Sequence, residues 1–317
     1  MKVVVIGFGS IGKRHVNNLI SLGINDIVLC RSKLTGNSLN LKEINNLESI
    51  LDFNPNFVII SNPTALHFKT LKFLIEKNIN LLCEKPLVHI KEEWISLKLS
   101  LQNYEGFAKV VFNLRFHPCI IKVKELLDEN KIGKVNFARF FVGQYLPDWR
   151  PNSNHLESYS ASKEMGGGVV MDLVHEIDVA EYLLGKPNSE IKSISDKVSN
   201  VTIDSVDISE IIYKTESKSI VNIHLDYLFK GYARNFIING NKYNLSCDLF
   251  DNTVKISGNS NQIIDNFEFN KFDRNDMYLN LLKDYIKGLN NARHISKLPS
   301  LMENQSVMNT CFQVNNN

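Results

Sequence analysis

The chain has 317 residues, about twice the length of a typical domain, and this length predicts two domains. Hydrophobic residues make up 44% of the sequence and charged residues 22%, which is typical of a globular protein with a full core. The net charge of +2, from 36 basic and 34 acidic side chains, excludes the basic footprint of a nucleic-acid-binding protein. No apolar run approaches the roughly 18 residues that cross a membrane, so we expect no membrane partner.

The cysteines, the histidines and the first residues narrow the class of protein further. The five cysteines are widely separated and form no Cys-x-x-Cys pair, which argues against a disulfide framework and a structural zinc site. The histidines are scattered without the spacing of metal ligands, so we expect no metal. The chain opens directly into a predicted strand, which leaves no room for a signal peptide and predicts a cytoplasmic protein.

From the start of the chain to about residue 118, short apolar runs alternate with amphipathic stretches. The predicted strands cover residues 2–6, 27–30, 57–61, 80–83 and 107–112. The predicted helices cover residues 11–22, 46–53, 65–78 and 91–101. Strands rich in Val and Ile that alternate with helices indicate βαβ units and a parallel sheet covered on both faces.

A glycine motif, G-x-G-x-x-G, follows the first strand and opens the first helix. The first glycine allows the tight turn, the second lets the backbone approach a pyrophosphate, and the third lets helix and strand pack closely. Phosphates would lie at the helix N-terminus, where free N–H groups and the helix dipole favour negative charge. This arrangement predicts a Rossmann dinucleotide-binding domain. Its first contacts are Gly7, Gly9, Ser10, Ile11 and Gly12.

The end of the second strand indicates which dinucleotide is bound. An NAD-specific site usually has an acidic residue there to hold the ribose 2′-hydroxyl, but here the strand runs into Arg31, Ser32 and Lys33. Arg31 and Ser32 are suited to a 2′-phosphate, so we expect tighter binding of NADP than of NAD. The alternative is that Arg31 and Lys33 are solvated loop charges.

After residue 118 the pattern changes to one helix, a strand, a polar segment and a second helix. These elements are predicted at residues 120–130, 134–141 and 170–184, and residues 190–270 then form successive strands with turn signals. A last helix at 273–289 precedes a polar, Asn-rich tail. We predict a Rossmann domain over residues 1–118 and an α/β domain with a large open, mainly antiparallel sheet over 119–317. Helices cover one face of such a sheet and leave the other to be buried, which predicts a homodimer or homotetramer that forms through that face.

Four further segments carry a resemblance to a known family. They are SNPTALH at 61–67, CEKPL at 83–87, FNLRFHP at 112–118 and GGGVVMDLVHEID at 166–178. With the glycine motif, they resemble, in the same order, the signatures of the glucose–fructose oxidoreductase / inositol dehydrogenase / MocA (Gfo/Idh/MocA) family. The motifs span about 180 residues of the chain. The resemblance implies an NAD(P)-dependent oxidoreductase, with cofactor contacts at Asn62, Pro63, His67, Glu84, Lys85 and Asn113 and substrate contacts at Lys85, Arg115, Asp172 and His175.

Physical reasoning on Lys85 agrees with the resemblance. The lysine follows a parallel strand, and open α/β sheets bind ligands at the carboxyl ends of their strands. Its ammonium can donate a hydrogen bond to a substrate oxygen and stabilise charge there. A free lysine has a pKa near 10.4, so a role in proton transfer requires a lowered pKa. The preceding Glu84 orients Lys85, braces the cofactor, or forms a purely structural ion pair.

Asp172 and His175 are three residues apart on a predicted helix and therefore on one face. Imidazole is the natural base for a hydroxyl proton because its pKa is near 6.5, and the carboxylate orients the ring or binds substrate hydroxyls. Many family members space this pair four apart, so this chain departs from the family's pattern at Asp172. We expect Asp178 to brace the helix or the histidine.

The segment between the strand at 134–141 and this helix is a candidate substrate loop. It is rich in Pro, Asn and Ser, and loops with aromatic and polar groups on a rigid scaffold commonly bind ligands. Tyr145 or Trp149 is suited to stack on a sugar ring, Arg150 to grip a carboxylate or phosphate, and Tyr159 to bind substrate. The alternative is an arm that packs against a second subunit.

These observations predict hydride transfer between a nicotinamide and a hydroxyl or ketone of a sugar, sugar acid or sugar nucleotide. The sequence resembles family members of bacterial surface-polysaccharide biosynthesis, which favours an acidic sugar or a sugar nucleotide. Two other functions remain open. One is a redox-neutral, glycosidase- or lyase-like enzyme whose bound cofactor is oxidised and reduced within one turnover. The other is a non-catalytic nicotinamide sensor, for which retention of Lys85 and His175 would be unexpected.

Overall fold

The structure is a computed structural model, and it describes residues 1–149 and 159–315. The chain forms two compact units. The first contains Met1–Asn113 and Asn275–Gln305, and the second contains Leu114–Arg274 and Ser306–Asn317. The prediction divided the chain once, after residue 118, and carried no signal for the return of residues 275–305 to the first unit.

The first unit contains a parallel sheet with the strand order β3-β2-β1-β4-β5-β6. The central strand β1 has Val3, Val4 and Val5 fully buried, as expected for a strand covered on both faces. Its strands are β1 (Lys2–Ile6), β2 (Asp26–Cys30), β3 (Lys42–Ile44), β4 (Phe57–Ile60), β5 (Leu81–Cys83) and β6 (Ala108–Val110). Five of these were predicted. The edge strand β3 was not, because three residues that include two charged side chains give no apolar run.

Helices connect these strands in the manner of a Rossmann fold, except that β3 follows β2 without a helix between them. They are α1 (Ser10–Ser21), α2 (Ser49–Phe53), α3 (His67–Glu76) and α4 (Lys91–Ser100). In α1 the buried residues include Gly12, Val16 and Leu19, spaced along the face that packs on the sheet. The predicted Rossmann domain is therefore confirmed.

The second unit begins with α5 (Pro118–Asp128) and contains a sheet with the order β14-β13-β12-β11-β7-β10-β9-β8. Only the β7–β10 pair is parallel among its described pairs, so the predicted mainly antiparallel sheet is confirmed. After β7 (Val135–Gln144) come α6 (Val169–Asp172), α7 (Val174–Leu184) and the remaining strands. These are β8 (Lys192–Asp196), β9 (Ile208–Lys214), β10 (Ile220–Asp226), β11 (Tyr232–Gly240), β12 (Asn244–Asp248), β13 (Thr253–Ser257) and β14 (Ile263–Glu268).

The two faces of this second sheet differ in exposure. Alternate residues such as Val221, Ile223 and Leu225 of β10 are fully buried beneath the helices. The strand register places the intervening residues together on the other face, where Ile220 lies opposite Phe137 and Ile237 lies opposite Arg139. This face also exposes apolar side chains between 38% and 78%: Phe137, Ile194, Ile212, Ile220 and Ile237. We call these five residues the open-face cluster.

Two helices differ from the prediction. The predicted helix at 170–184 is interrupted at Leu173, whose φ of −97° and ψ of 26° separate α6 from α7. After α8 (Arg274–Asn290), the tail predicted to be irregular forms α9 (Gln305–Asn315), which buries Val307, Cys311 and Val314. Its apolar residues recur at helical spacing, but polar residues lie between them, so the sequence analysis did not predict a helix there. None of the helices in the described ranges is long and apolar enough to cross a bilayer.

Candidate active site

The glycine loop after β1 forms a cradle in the first unit. Gly7 has a φ of +89°, and a Cβ there would lie 2.7 Å from the backbone nitrogen of Asn62. A Cβ on Gly12 would collide with the Gly7 carbonyl oxygen, so these two glycines are required by the packing of the loop. A Cβ on Gly9 would meet nothing within 4 Å. The loop is therefore tightly packed at Gly7 and Gly12, whereas there is free space beside Gly9.

This opening lies at the N-terminus of α1. Gly9 is the N-cap, Ser10 and Ile11 begin the helix, and its first turn carries no acidic side chain. The N–H groups of a first helical turn have no partner within the helix, and the helix dipole adds positive potential there. The cradle therefore fits a dinucleotide pyrophosphate, with the backbone of residues 9–12 as its donor set.

The loop after β4 forms the next wall of this site. The Ser61 hydroxyl donates to the carbonyl oxygens of Ile6 and Gly7, at 3.0 and 3.2 Å. His67 lies behind this loop, 1% exposed, with Nε2 2.9 Å from the Asn62 oxygen and Nδ1 2.8 Å from the Pro86 oxygen. Burial lowers the pKa of His67 below its usual range. His67 thus ties the loop after β4 to the loop after β5, and the cofactor contacts of Asn62, Pro63 and His67 stay predictions.

Lys85 follows β5 and is half-buried. The carboxylate of Glu84 lies 2.8 Å from Nε2 of His15, a fully buried residue of α1. Glu84 thus joins the lysine turn to the helix that begins at the glycine cradle. Of the alternatives open from the sequence, this contact fits the structural pair, and the roles of Glu84 toward Lys85 and the cofactor stay predictions. Lys85 lies in the same unit as the cradle and one strand beyond Asn62.

The end of β2 contains an ion pair that the sequence analysis missed. Arg31 Nη1 lies 3.0 Å from Glu43 Oε1, and Glu43 belongs to the unpredicted strand β3. Glu43 also accepts hydrogen bonds from the Asn37 side chain and from the backbone nitrogens of Thr35 and Gly36. Hydrogen bonds from Asn37 and Arg31 hold the pKa of Glu43 below its usual range. Ser32 and Lys33 are exposed.

Two residues of the FNLRFHP segment have different surroundings. Asn113 is buried, with 5% of its surface exposed, at the end of the first stretch of unit one. Arg115 forms a two-pronged ion pair with Asp178, with Nη2–Oδ1 and Nε–Oδ2 distances of 2.6 and 3.0 Å. Burial raises the pKa of Asp178, whereas the Arg115 charge lowers it. Asp178 thus braces α7 through Arg115, and the predicted substrate contact of Arg115 remains a prediction.

Asp172 and His175 lie on either side of the break at Leu173, so they do not share one helix face as predicted. From residue 169 to 180, a stretch described throughout, His175 is the one residue that is not buried. Asp172 is 4% exposed and accepts a hydrogen bond of 2.5 Å from the hydroxyl of Tyr227. The break thus separates a half-buried His175 from a buried Asp172.

Tyr227 connects Asp172 to the candidate substrate loop. It follows β10, is fully buried, and packs edge-to-face against Trp149 with ring centroids 5.2 Å apart. Its carbonyl oxygen also accepts a hydrogen bond from the Leu146 nitrogen. The sequence analysis missed Tyr227 because an aromatic residue at the end of a strand is ordinarily core. The one feature in the sequence that could have indicated a site residue is its position directly after a strand.

The remaining residues of the substrate loop are partly described. Tyr145 is half-buried beneath the Lys230 ammonium, and Trp149 Nε1 donates to the Gln144 oxygen at 3.2 Å. Tyr159 begins a 3₁₀ turn, Tyr159–Ala161. Arg150 lies outside the described residues. Within the described ranges no three His, Cys, Asp or Glu side chains are grouped as metal ligands.

Two family models match the chain. The NAD-binding Rossmann fold of the GFO/IDH/MocA oxidoreductases matches residues 1–110, and the GFO/IDH/MocA C-terminal domain matches residues 120–246. The chain belongs to the Gfo/Idh/MocA family. The resemblance found in the sequence is thereby confirmed, and the first unit is an NAD-binding Rossmann domain of this family.

Individual relatives of this Gfo/Idh/MocA chain are distant. It is 27% identical over 196 residues to the uncharacterized oxidoreductase YrbE of Bacillus subtilis, covering 59% of the chain and 54% of YrbE. The chain thus matches about half the length of this relative. A levoglucosan dehydrogenase in complex with NADH and levoglucosan has a similar fold, with a TM-score of 0.87 at 18% identity, over 100% and 96% of the two chains. UDP-N-acetylglucosamine 3-dehydrogenase GnnA of Acidithiobacillus ferrooxidans gives 0.78 at 18% identity, over 99% and 96%.

Proposed function

We propose that the protein is an NAD(P)-dependent dehydrogenase or reductase that acts on a CH–OH group of a carbohydrate. The observation that carries this proposal is the glycine cradle at the N-terminus of α1, with Lys85 two strands away at the same end of the same sheet. When bound, the nicotinamide supplies or accepts the hydride. The chain's own residues must then bind the substrate oxygen and move its proton.

Lys85 is the proposed donor to the reacting oxygen. Its side chain leaves the carboxyl end of β5, where open α/β sheets bind their ligands. An ammonium hydrogen-bonded to the carbinol oxygen stabilises the negative charge that develops when the hydroxyl loses its proton. The Glu84–His15 contact and the His67 tie hold the backbone on both sides of this lysine.

His175 is the proposed proton carrier, and Asp172 is proposed to hold the substrate or the imidazole. An imidazole exchanges protons near neutral pH, and His175 is the accessible member of an otherwise buried stretch. The Tyr227 hydroxyl fixes one oxygen of Asp172. In oxidation of an alcohol, His175 takes the hydroxyl proton; in reduction of a ketone, it returns one.

The proposed substrate is a sugar, sugar acid or sugar nucleotide, in the biosynthesis of surface polysaccharide. A levoglucosan dehydrogenase and a UDP-N-acetylglucosamine 3-dehydrogenase share the fold, which supports the carbohydrate class. Trp149 and Tyr145 are residues of the kind that stack on sugar rings, and both lie in the candidate substrate loop, where Lys230 covers one face of Tyr145. For the cofactor we propose tighter binding of NADP than of NAD, supported by Arg31 and by the absence of an acid among residues 31–33.

A substrate panel tests this proposal. The purified chain, supplied with NAD⁺ or NADP⁺ and sugars, sugar acids or sugar nucleotides, should produce the absorbance band of reduced nicotinamide with at least one member. A redox-neutral enzyme would convert the substrate with no net change in that band and would retain its cofactor through purification. A sensor would bind the dinucleotide and convert no member of the panel.

We also propose a homodimer or homotetramer through the open-face cluster of the second sheet. Five apolar side chains on one sheet face form a surface that a second copy of the chain would cover. Ile237→Arg should weaken the assembly about 10-fold or more, because it buries a second positive charge directly opposite Arg139 at the contact. Ile295→Arg is the matched control, since Ile295 is 91% exposed and lies in the first unit. Light scattering that finds the unaltered protein monomeric at micromolar concentration would contradict this assembly.

A further inference from the structure

At the end of β2, the cation expected to bind a 2′-phosphate, Arg31, forms an ion pair with the acidic residue Glu43. Arg31 uses Nη1 for Glu43 and for the Gly36 oxygen, at 3.0 and 3.3 Å. The Arg31 side chain is 25% exposed and that of Glu43 is 8% exposed. The Arg31 side chain therefore keeps part of its surface accessible, while the Glu43 side chain is almost fully buried.

Glu43 is not itself placed as a ribose acceptor. One oxygen accepts from Arg31 and Asn37, at 3.0 Å in both cases, and the other accepts from the backbone nitrogens of Thr35 and Gly36. The two carboxylate oxygens thus accept four hydrogen bonds from the protein. No lone pair of Glu43 is left to accept a hydrogen bond from a ribose hydroxyl. Those hydrogen bonds also keep the carboxyl ionised, so its negative charge is present at neutral pH.

Other cations surround the same corner of the first unit. The aromatic ring of Phe8, within the glycine motif, has its centroid 5.6 Å from the Lys13 ammonium and 5.7 Å from the Arg31 guanidinium. The exposed Lys33 follows two residues later in the β2 loop. Glu43 is the acid paired with this set among the described contacts, and it faces Arg31 rather than either lysine.

We propose that Glu43 is a specificity-determining residue that restrains the preference for a 2′-phosphate that Arg31 confers. This inference rests on the proposed function as a dinucleotide-dependent enzyme. A phosphate at the accessible part of Arg31 meets a guanidinium whose charge is balanced by a carboxylate 3.0 Å away. The phosphate interacts with a dipole rather than with a lone cation, so its attraction is weaker. A 2′-hydroxyl is uncharged and loses nothing by the pairing. The pair therefore keeps NADH usable beside NADPH.

Isothermal titration of the cofactor-free protein with NADPH and with NADH tests this inference without any measurement of activity. The readout is the ratio of the two Kd values, which a general loss of folding does not shift. Glu43→Gln keeps the size of the side chain and removes its charge. It should raise the NADPH preference roughly fivefold to 20-fold, and less at high salt because exposed charges are screened.

Asn37→Ala is the matched control. Asn37 donates to Glu43 and ties the loop to Leu41, so its removal disturbs the same turn while both charges remain. If Glu43 acts through its charge, Asn37→Ala leaves the ratio of Kd values near that of the unaltered protein. An equal change in Asn37→Ala and Glu43→Gln would overturn the inference and assign Glu43 a structural role.

A second comparison, between Arg31→Ala and the double variant Arg31→Ala/Glu43→Gln, keeps the test valid if Glu43→Gln alone fails to fold. Without its partner, the Glu43 charge should act on the 2′-phosphate directly, so adding Glu43→Gln to Arg31→Ala should again raise the NADPH preference. An unchanged ratio in both backgrounds would overturn the inference while both cofactors still bind. Binding of neither cofactor to the unaltered protein would instead refute the proposed function, so the two failures are distinguishable.

Discussion

Lys85→Ala should lower kcat by about 10²–10⁴-fold with the true substrate, the range usual for a lost group that acts on the reacting atoms. The ammonium is proposed to hold the carbinol oxygen, and its benefit grows as that oxygen gains negative charge. The Kd of the dinucleotide should stay close to that of the unaltered protein, because the phosphate cradle is formed by the glycine loop and α1. Steady-state rates and a cofactor titration measure the two effects separately.

Two further variants control this experiment. Lys77→Ala removes an exposed lysine of the same unit, just after α3, and should leave kcat unchanged. Lys85→Arg keeps the positive charge but changes its shape and reach, so it should recover only part of the rate. A Lys85→Ala protein with normal kcat would remove Lys85 from the reaction. A protein that lost cofactor binding together with kcat would assign the lysine to the cofactor instead.

His175→Ala should also lower kcat by about 10²–10⁴-fold, because the hydroxyl proton loses its carrier. The remaining rate should depend less steeply on pH than the rate of the unaltered protein, because the group proposed to exchange the proton is gone. Cofactor affinity should change little, since the proposed phosphate donors are the backbone groups of residues 9–12. Rates measured across a pH series provide the decisive curve.

The control for this variant is His294→Ala. His294 pairs with Asp284 in the first unit and has no proposed role in the reaction. It should leave the pH profile unchanged. If His175→Ala kept near-normal kcat over the whole pH range, the assignment of the proton carrier would be wrong. Lys85 would then become the leading candidate for proton transfer.

The elements that the sequence predicted well are those specified by local sterics and short-range pattern. The glycine motif is determined by contacts within a few residues and with the next strand, as at Gly7 and Gly12. Runs such as Val3–Val5 are apolar on both faces because the strand is covered on both sides. The open-face cluster follows from alternation along each strand, which the sequence carries as a period of two.

The elements that the sequence did not predict depend on pairing across the fold. Glu43 meets Arg31 only because the short strand β3 lies beside β2, and three residues give no readable period. The break at Leu173 lies in a stretch, residues 169–184, that has no glycine or proline and therefore favours one helix. Tyr227 is separated from Asp172 by 55 positions, so only the folded sheet shows their hydrogen bond.

The same distinction applies to the charged site residues. Arg115 was expected to face a substrate, but its ion pair with Asp178 joins positions 63 apart in the chain. A sequence motif indicates that a residue belongs to a functional segment. The structure is needed to show which group that residue contacts. For His67 the motif gave a cofactor contact, and the fold places the ring between two backbone carbonyls.

Transfer of deuterium from C4 of the reduced dinucleotide to the substrate tests the central claim most directly. The chain is mixed with a ketone form of the substrate identified in the panel and with NADH or NADPH labelled on the transferred position. Mass spectrometry of the sugar product then follows the label. We predict a product heavier by one mass unit, and we predict that Lys85→Ala and His175→Ala slow its appearance. An unlabelled product formed at the normal rate would contradict hydride transfer from a dissociable nicotinamide, and with it the proposed dehydrogenase.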